Sequence, residues 1–265
     1  MYWIYSLGLG VFYTGSLPLF ASQAILKGKF RRGLRERLGR GPAWSESVSP
    51  IWLHAVSVGE VMASTPLAKE LVRRHPDLPL LVSTVTDTGR VVAEQRLPAK
   101  RYVFFPLDFG WAVRGALGRL SPRAVLLTET EIWPNFIHAC ASRGIPVVVI
   151  NGRISSRSFP RYRLVRRWFG RVLSEVRLFC MQSAEDAERV VLLGAPEGRV
   201  RVVGNLNSPA YQEAQRRELA CQKPYVRVLD DAFRQLRANG ENNGCFSLTH
   251  SVRISSAVPR GRRKC

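Results

Sequence analysis

Two carboxylates, Glu60 and Glu129, each stand just beyond an apolar run, a placement that suits acid/base chemistry. Glu60 closes the segment IWLHAVSVGE, residues 51–60, with His54 and Ser57 just upstream and Gly59 before it. A helix should begin there, and its N-terminal dipole would favour the ionised carboxylate. The competing reading of Glu60 is a capping carboxylate, common in first helical turns. Glu129 belongs to Thr128-Glu129-Thr130-Glu131-Ile132-Trp133-Pro134-Asn135. Glu131 in the same segment reads as a first-turn carboxylate of the next helix. Other polar residues also follow apolar runs: the turn Ser83 to Gly89, Asp108, and Asn151-Gly152-Arg153 with Ser155, Ser156 and Arg157. Most of these Ser and Thr residues suit capping. Arg153 and Arg157 suit phosphate recognition, since a guanidinium binds phosphate through two parallel hydrogen bonds, or else plain surface charge.

These groups can meet only if the apolar runs are strands of one sheet. Candidate strands are residues 51–57, 80–84, 102–105, 124–127, 147–150, 178–181 and 200–203. Amphipathic stretches of helical length lie between most of them, at 60–73, 88–96, 110–119, 131–143, 160–175 and 184–194. Strands alternating with helices predict an α/β fold, a parallel sheet covered on both faces. In such a sheet, ligands bind beyond the carboxyl ends of the strands, where the polar residues fall. Pro66 would end or kink the first long helix.

Several chemistries are unsupported. GxGxxG, GxxxxGK[ST] and GxSxG are absent, which argues against dinucleotide binding, a P-loop and a nucleophile elbow. His54, His75, His138 and His250 have no metal-ligand spacing. The five cysteines have no CxxC spacing, and Cys140 and Cys180 lie in apolar patterns that read as buried thiols of a reducing compartment. The net charge of +20 calls for acidic partners, but no RRM, KH, zinc-finger or helix-turn-helix signature points to nucleic acid.

Residues 1–26 carry no charged side chain, and Lys27, Lys29, Arg31, Arg32, Arg35, Arg37 and Arg40 follow. An apolar segment with a basic flank predicts a retained membrane anchor, spanning or interfacial, with the flank on the cytoplasmic side. The alternative is an apolar helix packed on the domain.

HAVSVGE, the S-T-x-T-x-T-G turn, TETEIWPN and INGRISSRS, in that order, resemble the N-terminal half of the 3-deoxy-D-manno-octulosonic acid (Kdo) transferases. These bacterial enzymes act in lipopolysaccharide synthesis, and the resemblance runs to about residue 206. It implies the Rossmann-like N-terminal domain of a GT-B glycosyltransferase, which binds the lipid A precursor. A second domain of that fold binds the donor, CMP-Kdo. It also implies Glu60 as general base and Glu129 as transition-state stabiliser. Ser57, Gly59, Arg153 and Arg157 are the candidate substrate contacts. No cofactor is required, because CMP leaves with its own bonding electrons. The implied location is the cytoplasmic side of the bacterial inner membrane, on anionic lipid.

The resemblance fades after Gly204. The family's Gly-x-Leu-Lys-Phe-Asp is here Gly204-Asn205-Leu206-Asn207-Ser208-Pro209, so Asn207 replaces a lysine proposed as a stabiliser. The expected organisation is an anchor at 1–26, a basic linker at 27–50, the Rossmann-like domain at 51–206 and an unrecognised tail at 207–265. The tail has too few residues for a second such domain, and a helix is expected only at 226–238. A fragment of this kind reads either as part of a Kdo-transferring enzyme or as a non-catalytic acceptor-binding module at the membrane.

Overall fold

Seven mainly apolar runs form seven parallel strands in the computed structural model, which describes residues 2–27 and 33–208. The strands are β1 (Ile51–His54), β2 (Leu80–Thr84), β3 (Arg101–Phe104), β4 (Ala124–Thr128), β5 (Val147–Gly152), β6 (Leu178–Met181) and β7 (Val200–Val202). The helices are α1 (Tyr2–Lys27), α2 (Leu34–Arg37), α3 (Val58–Arg74), α4 (Asp87–Arg96), α5 (Gly110–Leu120), α6 (Pro134–Ala141), α7 (Phe159–Leu164), α8 (Arg166–Glu175) and α9 (Ala184–Leu192). The sheet order is β3-β2-β1-β4-β5-β6-β7, the doubly wound arrangement with one further strand at its edge. The α/β fold class is therefore the one expected. The helix expected at 226–238 and nearly all of the tail lie outside the described residues.

Every residue of β1, β2, β4 and β5 is buried, as strands covered on both faces require. Alternation sends Trp52, Leu81, Val125, Leu127 and Val149 to one face, against α5, α6 and α8. Trp52 is fully enclosed and donates its indole N–H to Ser83 Oγ at 2.7 Å. That hydroxyl removes the cost of an unpaired buried donor. The α3 helix runs through Pro66 without a break. The peptide bond of Pro66 cannot donate to Met62, and Met62 is half exposed, on the side of α3 that faces water.

Residues 33–50, expected as a basic linker, are laid along the sheet edge. Glu36 Oε2 accepts the N–H of Phe104 at 2.6 Å, and Trp44 donates its backbone N–H to Arg119 O at 2.8 Å. Gly39, at φ 68°, is needed for this close approach, since a Cβ there would fall 2.0 Å from Ala112 O. Arg37 departs from its reading as part of a lipid-facing basic flank. It is buried, donates to Val85 O at 2.7 Å and lies 4.3 Å over the Phe104 ring.

The first half of α1 packs on the domain. Tyr2 stacks on His138 at 4.0 Å, Tyr5 tilts against Trp168 and Tyr13 against Phe109, while Asn135 Nδ2 donates to Ser6 Oγ at 3.0 Å. The opposite face carries Trp3, Ile4, Leu7, Val11 and Phe12, all more than half exposed. Among the described residues, no helix is long and apolar enough to cross a membrane.

Candidate functional site

Strand order reverses between β1 and β4, which pair directly, so their carboxyl ends open side by side. That junction is the usual ligand crevice of an open α/β sheet. Glu60 stands on the β1 side and Glu129 on the β4 side.

Glu60 is held by a capping box. Ser57 is the N-cap of α3, and its Oγ accepts from Glu60 N at 3.4 Å. In return Glu60 Oε1 accepts from Ser57 Oγ at 3.0 Å, and Oε2 accepts from Val56 N at 2.9 Å. The capping reading and the site reading are thus compatible, because the cap fixes the carboxylate at the crevice. Burial raises the Glu60 pKa, hydrogen bonds from Val56 and Ser57 hold it down, and the charge of Glu129 raises it. A carboxylate made more basic in this way is a better proton acceptor near neutrality.

Glu129 leaves β4 with φ 59° and donates its N–H to Ile150 O at 2.8 Å. Left-handed backbone is uncommon for a long side chain and costs on the order of 1–3 kcal/mol; such strain gathers at functional sites. Asn151, across on β5, shares the conformation at φ 56°. Its Oδ1 accepts from Leu206 N at 3.0 Å, which draws the turn after β7 to the same rim.

Glu131 proves different from a first-turn carboxylate. The α6 helix starts at Pro134, three residues later than Glu131, and has no acid in its first turn. Proline disfavours helical geometry in the residue before it, and Trp133 accordingly sits at φ −102°, ψ 97°. Glu131 instead faces Glu60 and Glu129. Burial, then the charges of Glu60 and Glu129, raise its pKa to about 7. Among the described residues no group of three or more His, Cys, Asp and Glu is placed to hold an ion.

The raised pKa of Glu131 has a stability consequence. An acid with a folded pKa above its unfolded value stabilises the fold fully below the unfolded value, near 4.5. That contribution is lost as pH rises through about 7. Urea unfolding of the wild type should therefore show stability falling from pH 5 to pH 8, and Glu131→Gln should flatten that slope. A slope identical in the two proteins would refute the assignment.

The remaining candidates follow the strands β1, β4, β5 and β2 in the chain. Gly59 is exposed, and a Cβ there would meet only Ser57 Oγ, at 3.8 Å. Packing therefore does not demand glycine there. Thr130 joins the β4 loop to the β5 loop: its Oγ1 accepts from Arg153 N at 2.9 Å and donates to Arg153 O. The Arg153 backbone is thereby fixed while its side chain is exposed. Arg157 is exposed on the next turn, where Ser155 and Ser158 bond to each other at 2.8 Å. Thr86 caps α4 through Gly89 N at 3.0 Å, as hydroxyl-rich turns commonly do.

Two polar residues near these motifs are structural. His54 lies fully buried, stacked on Phe105 at 3.8 Å with Nδ1 2.9 Å from Ser83 Oγ. Burial lowers its pKa to about 3, so the ring stays neutral in the core. Asp108 caps α6 from a distance, accepting from Asn135 N at 3.1 Å and Phe136 N at 2.7 Å. Cys140 and Cys180 are free, buried thiols.

The family described as 3-deoxy-D-manno-octulosonic-acid transferase (kdotransferase) matches residues 32–208. A 3-deoxy-D-manno-octulosonic acid transferase of Haemophilus influenzae is 34% identical over 181 residues, covering 67% of this chain and 42% of that protein. One from Bordetella pertussis is 34% identical over 194 residues, covering 68% and 44%. A bifunctional glycosyltransferase/methyltransferase of Fusobacterium nucleatum is 33% identical over 196 residues, covering 72% and 30%. The chain thus spans less than half the length of these relatives.

Proposed function

We propose a function from one premise, that the chain belongs to the 3-deoxy-D-manno-octulosonic-acid (Kdo) transferase family. The domain is the acceptor-binding part of a glycosyltransferase of lipopolysaccharide biosynthesis, and the reaction moves Kdo from CMP-Kdo to a lipid A precursor. Glu60 takes the proton of the attacking sugar hydroxyl. The oxygen then bonds to the anomeric carbon while the bond to the CMP phosphate breaks and CMP departs. Positive charge gathers on the sugar ring in between, as in glycoside hydrolysis, and Glu129 stabilises it. Ser57 keeps the Glu60 carboxylate oriented, Gly59 leaves room beside it, and Arg153 and Arg157 meet the acceptor's phosphates.

The observation that carries this reading is the meeting of Glu60 and Glu129 at the β1/β4 junction, close enough for one charge to raise the other's pKa. Incubation with labelled CMP-Kdo and lipid A precursor tests it. Transfer by an intact protein containing this domain supports the reading, and transfer to water alone would sink it. The second reading is a non-catalytic acceptor-binding module at the membrane. Acceptor binding without turnover by the 265-residue chain is its expected signature.

The domain sits on the cytoplasmic face of the inner membrane, with the exposed stripe of α1 lying in the interface rather than crossing it. Exposed Arg35 and Arg40 add attraction to anionic lipid of about 1 kcal/mol each. Two buried aliphatic side chains contribute about 1.5–3 kcal/mol each, so Leu7→Glu with Val11→Glu should weaken binding to anionic vesicles more than about tenfold. Both positions are exposed, and folding should not change. Undiminished vesicle binding by the double variant would remove α1 from the interface.

A further inference from the structure

An open cavity of about 470 Å³ lies between the first turns of α1, the start of α5 and the length of α6, on residues the transfer reaction does not use. Its walls are aromatic: Trp3 on one side, Phe109 and Trp111 on the other, the last two stacked at 6.0 Å. Trp3 is 69% exposed and Trp111 50% exposed, so both present wide apolar surface to the opening. Large aromatic surfaces left in water in this way mark binding sites more often than chance packing.

The polar end of the cavity is cationic. The Arg114 guanidinium folds over Gly110, where a Cβ would come within 3.1 Å of Nη1. Outside the cavity lining, Arg143 donates to the backbone carbonyl of Arg114 at 3.3 Å. No aspartate or glutamate lines the cavity. Among the described residues, the Arg114 side chain has neither an ion-pair partner nor a hydrogen-bond acceptor. An arginine fork without a carboxylate, above an indole-walled cleft, has the chemistry to bind an anion that carries an apolar body.

We propose that this cavity binds a single anionic glycerophospholipid of the bilayer, with its phosphate on Arg114 and its acyl chains between Trp3 and Trp111. A soluble phosphate would satisfy only the arginine end. The lipid also accounts for what adjoins the cleft: Trp3 continues on α1 into Ile4 and Leu7, all exposed, giving the chains an apolar path out of the pocket. Tryptophans at the level of a lipid headgroup are the usual arrangement where protein meets a membrane interface. The site is separate from the carboxylate crevice and stands whether or not the chain transfers Kdo.

Dihexanoyl-phosphatidylglycerol, kept below its aggregation concentration, is titrated into the full chain and followed by tryptophan fluorescence. Saturable binding is expected. The affinity should fall about tenfold or more for Arg114→Gln, for Trp111→Ala and for dihexanoyl-phosphatidylcholine, whose head has no net charge. Glycerol phosphate should bind at least about tenfold more weakly, because it lacks the chains. Equal affinity for the two lipids, or no change in Arg114→Gln, would overturn the proposal. Glycerol phosphate binding as tightly as the lipid would reduce the cavity to a phosphate site. Arg114 and Trp111 are both exposed, so each variant should keep the wild-type circular dichroism spectrum. No membrane is present in this titration, so a negative result leaves the interfacial stripe of α1 to its own vesicle test.

Discussion

Glu60→Gln, in an enzyme that joins this domain to a donor-binding domain, should lower turnover by about 10²–10⁴-fold, the usual worth of a positioned general base. Acceptor affinity should change little. The side chains are nearly the same shape, but the amide cannot take a proton at neutral pH. The cap survives in altered form: the Gln oxygen still accepts from Val56 N, and the Ser57 hydroxyl turns to accept from the new NH₂. Loss of a charge-assisted bond in exchange for neutral ones should cost about 1 kcal/mol of stability. Glu60→Ala leaves Val56 N and the Ser57 hydroxyl without their acceptor, and should lose both activity and a larger share of stability. The two variants together separate chemistry from capping. If Glu60→Gln retains full turnover while Glu60→Ala unfolds, Glu60 is a cap only.

The pH dependence of turnover gives a second view of the same group. As the proposed general base Glu60 would act in its ionised form, and its pKa is raised by burial and by Glu129. Activity should therefore fall on the acid side at a pH above the ordinary glutamate value. Glu129→Gln removes the neighbouring charge and should shift that acid limb toward lower pH.

Much of this arrangement could be read from residue order. The strands at 80–84 and 178–181 have the expected limits. The helix expected over 160–175 instead divides at Val165 into α7 and α8. Strand order is another matter. Periodicity tells which segments are strands but not that β1 pairs with both β2 and β4, and that pairing creates the crevice. The place of Glu131 outside the helix does not follow from the amphipathic stretch at 131–143; Pro134, visible in the sequence, is the signal that the helix starts later. His54 lies one strand position from Trp52 in side-chain alternation and shares its buried face, a pattern that outweighs its closeness to Glu60.

Asp108 is the residue whose importance to the fold the sequence concealed most, and its removal should have the largest effect on stability. The α6 helix has no side-chain cap of its own: Trp133 occupies the N-cap position and makes no capping bond. The N–H groups of Asn135 and Phe136 are instead taken by the two oxygens of Asp108, 27 and 28 residues earlier in the chain. Tyr5 also donates its hydroxyl to this carboxylate, and Asn135 Nδ2 bonds both Asp108 O and Ser6 Oγ. One buried acid thus ties α6 to the β3 loop and to α1. Asp108→Ala would leave two buried N–H groups unpaired at about 1–3 kcal/mol each, for a total on the order of 2–6 kcal/mol. Against a typical total of about 5–15 kcal/mol, a loss of that size should show in urea unfolding as a sharply lower midpoint. The first turns of α1 should become sensitive to protease at the same time. Asp108→Asn should cost less, since the amide oxygen still accepts one N–H. It should also change the pH dependence. Burial raises the Asp108 pKa to about 7, so its protonated form stabilises the fold fully below the unfolded value and that contribution is lost as pH rises through about 7. The asparagine variant should therefore lose least, relative to wild type, at pH 8, where the native carboxylate is buried with its charge. An Asp108→Ala protein as stable as wild type, with α1 still protected, would show that α6 and α1 are held by packing alone.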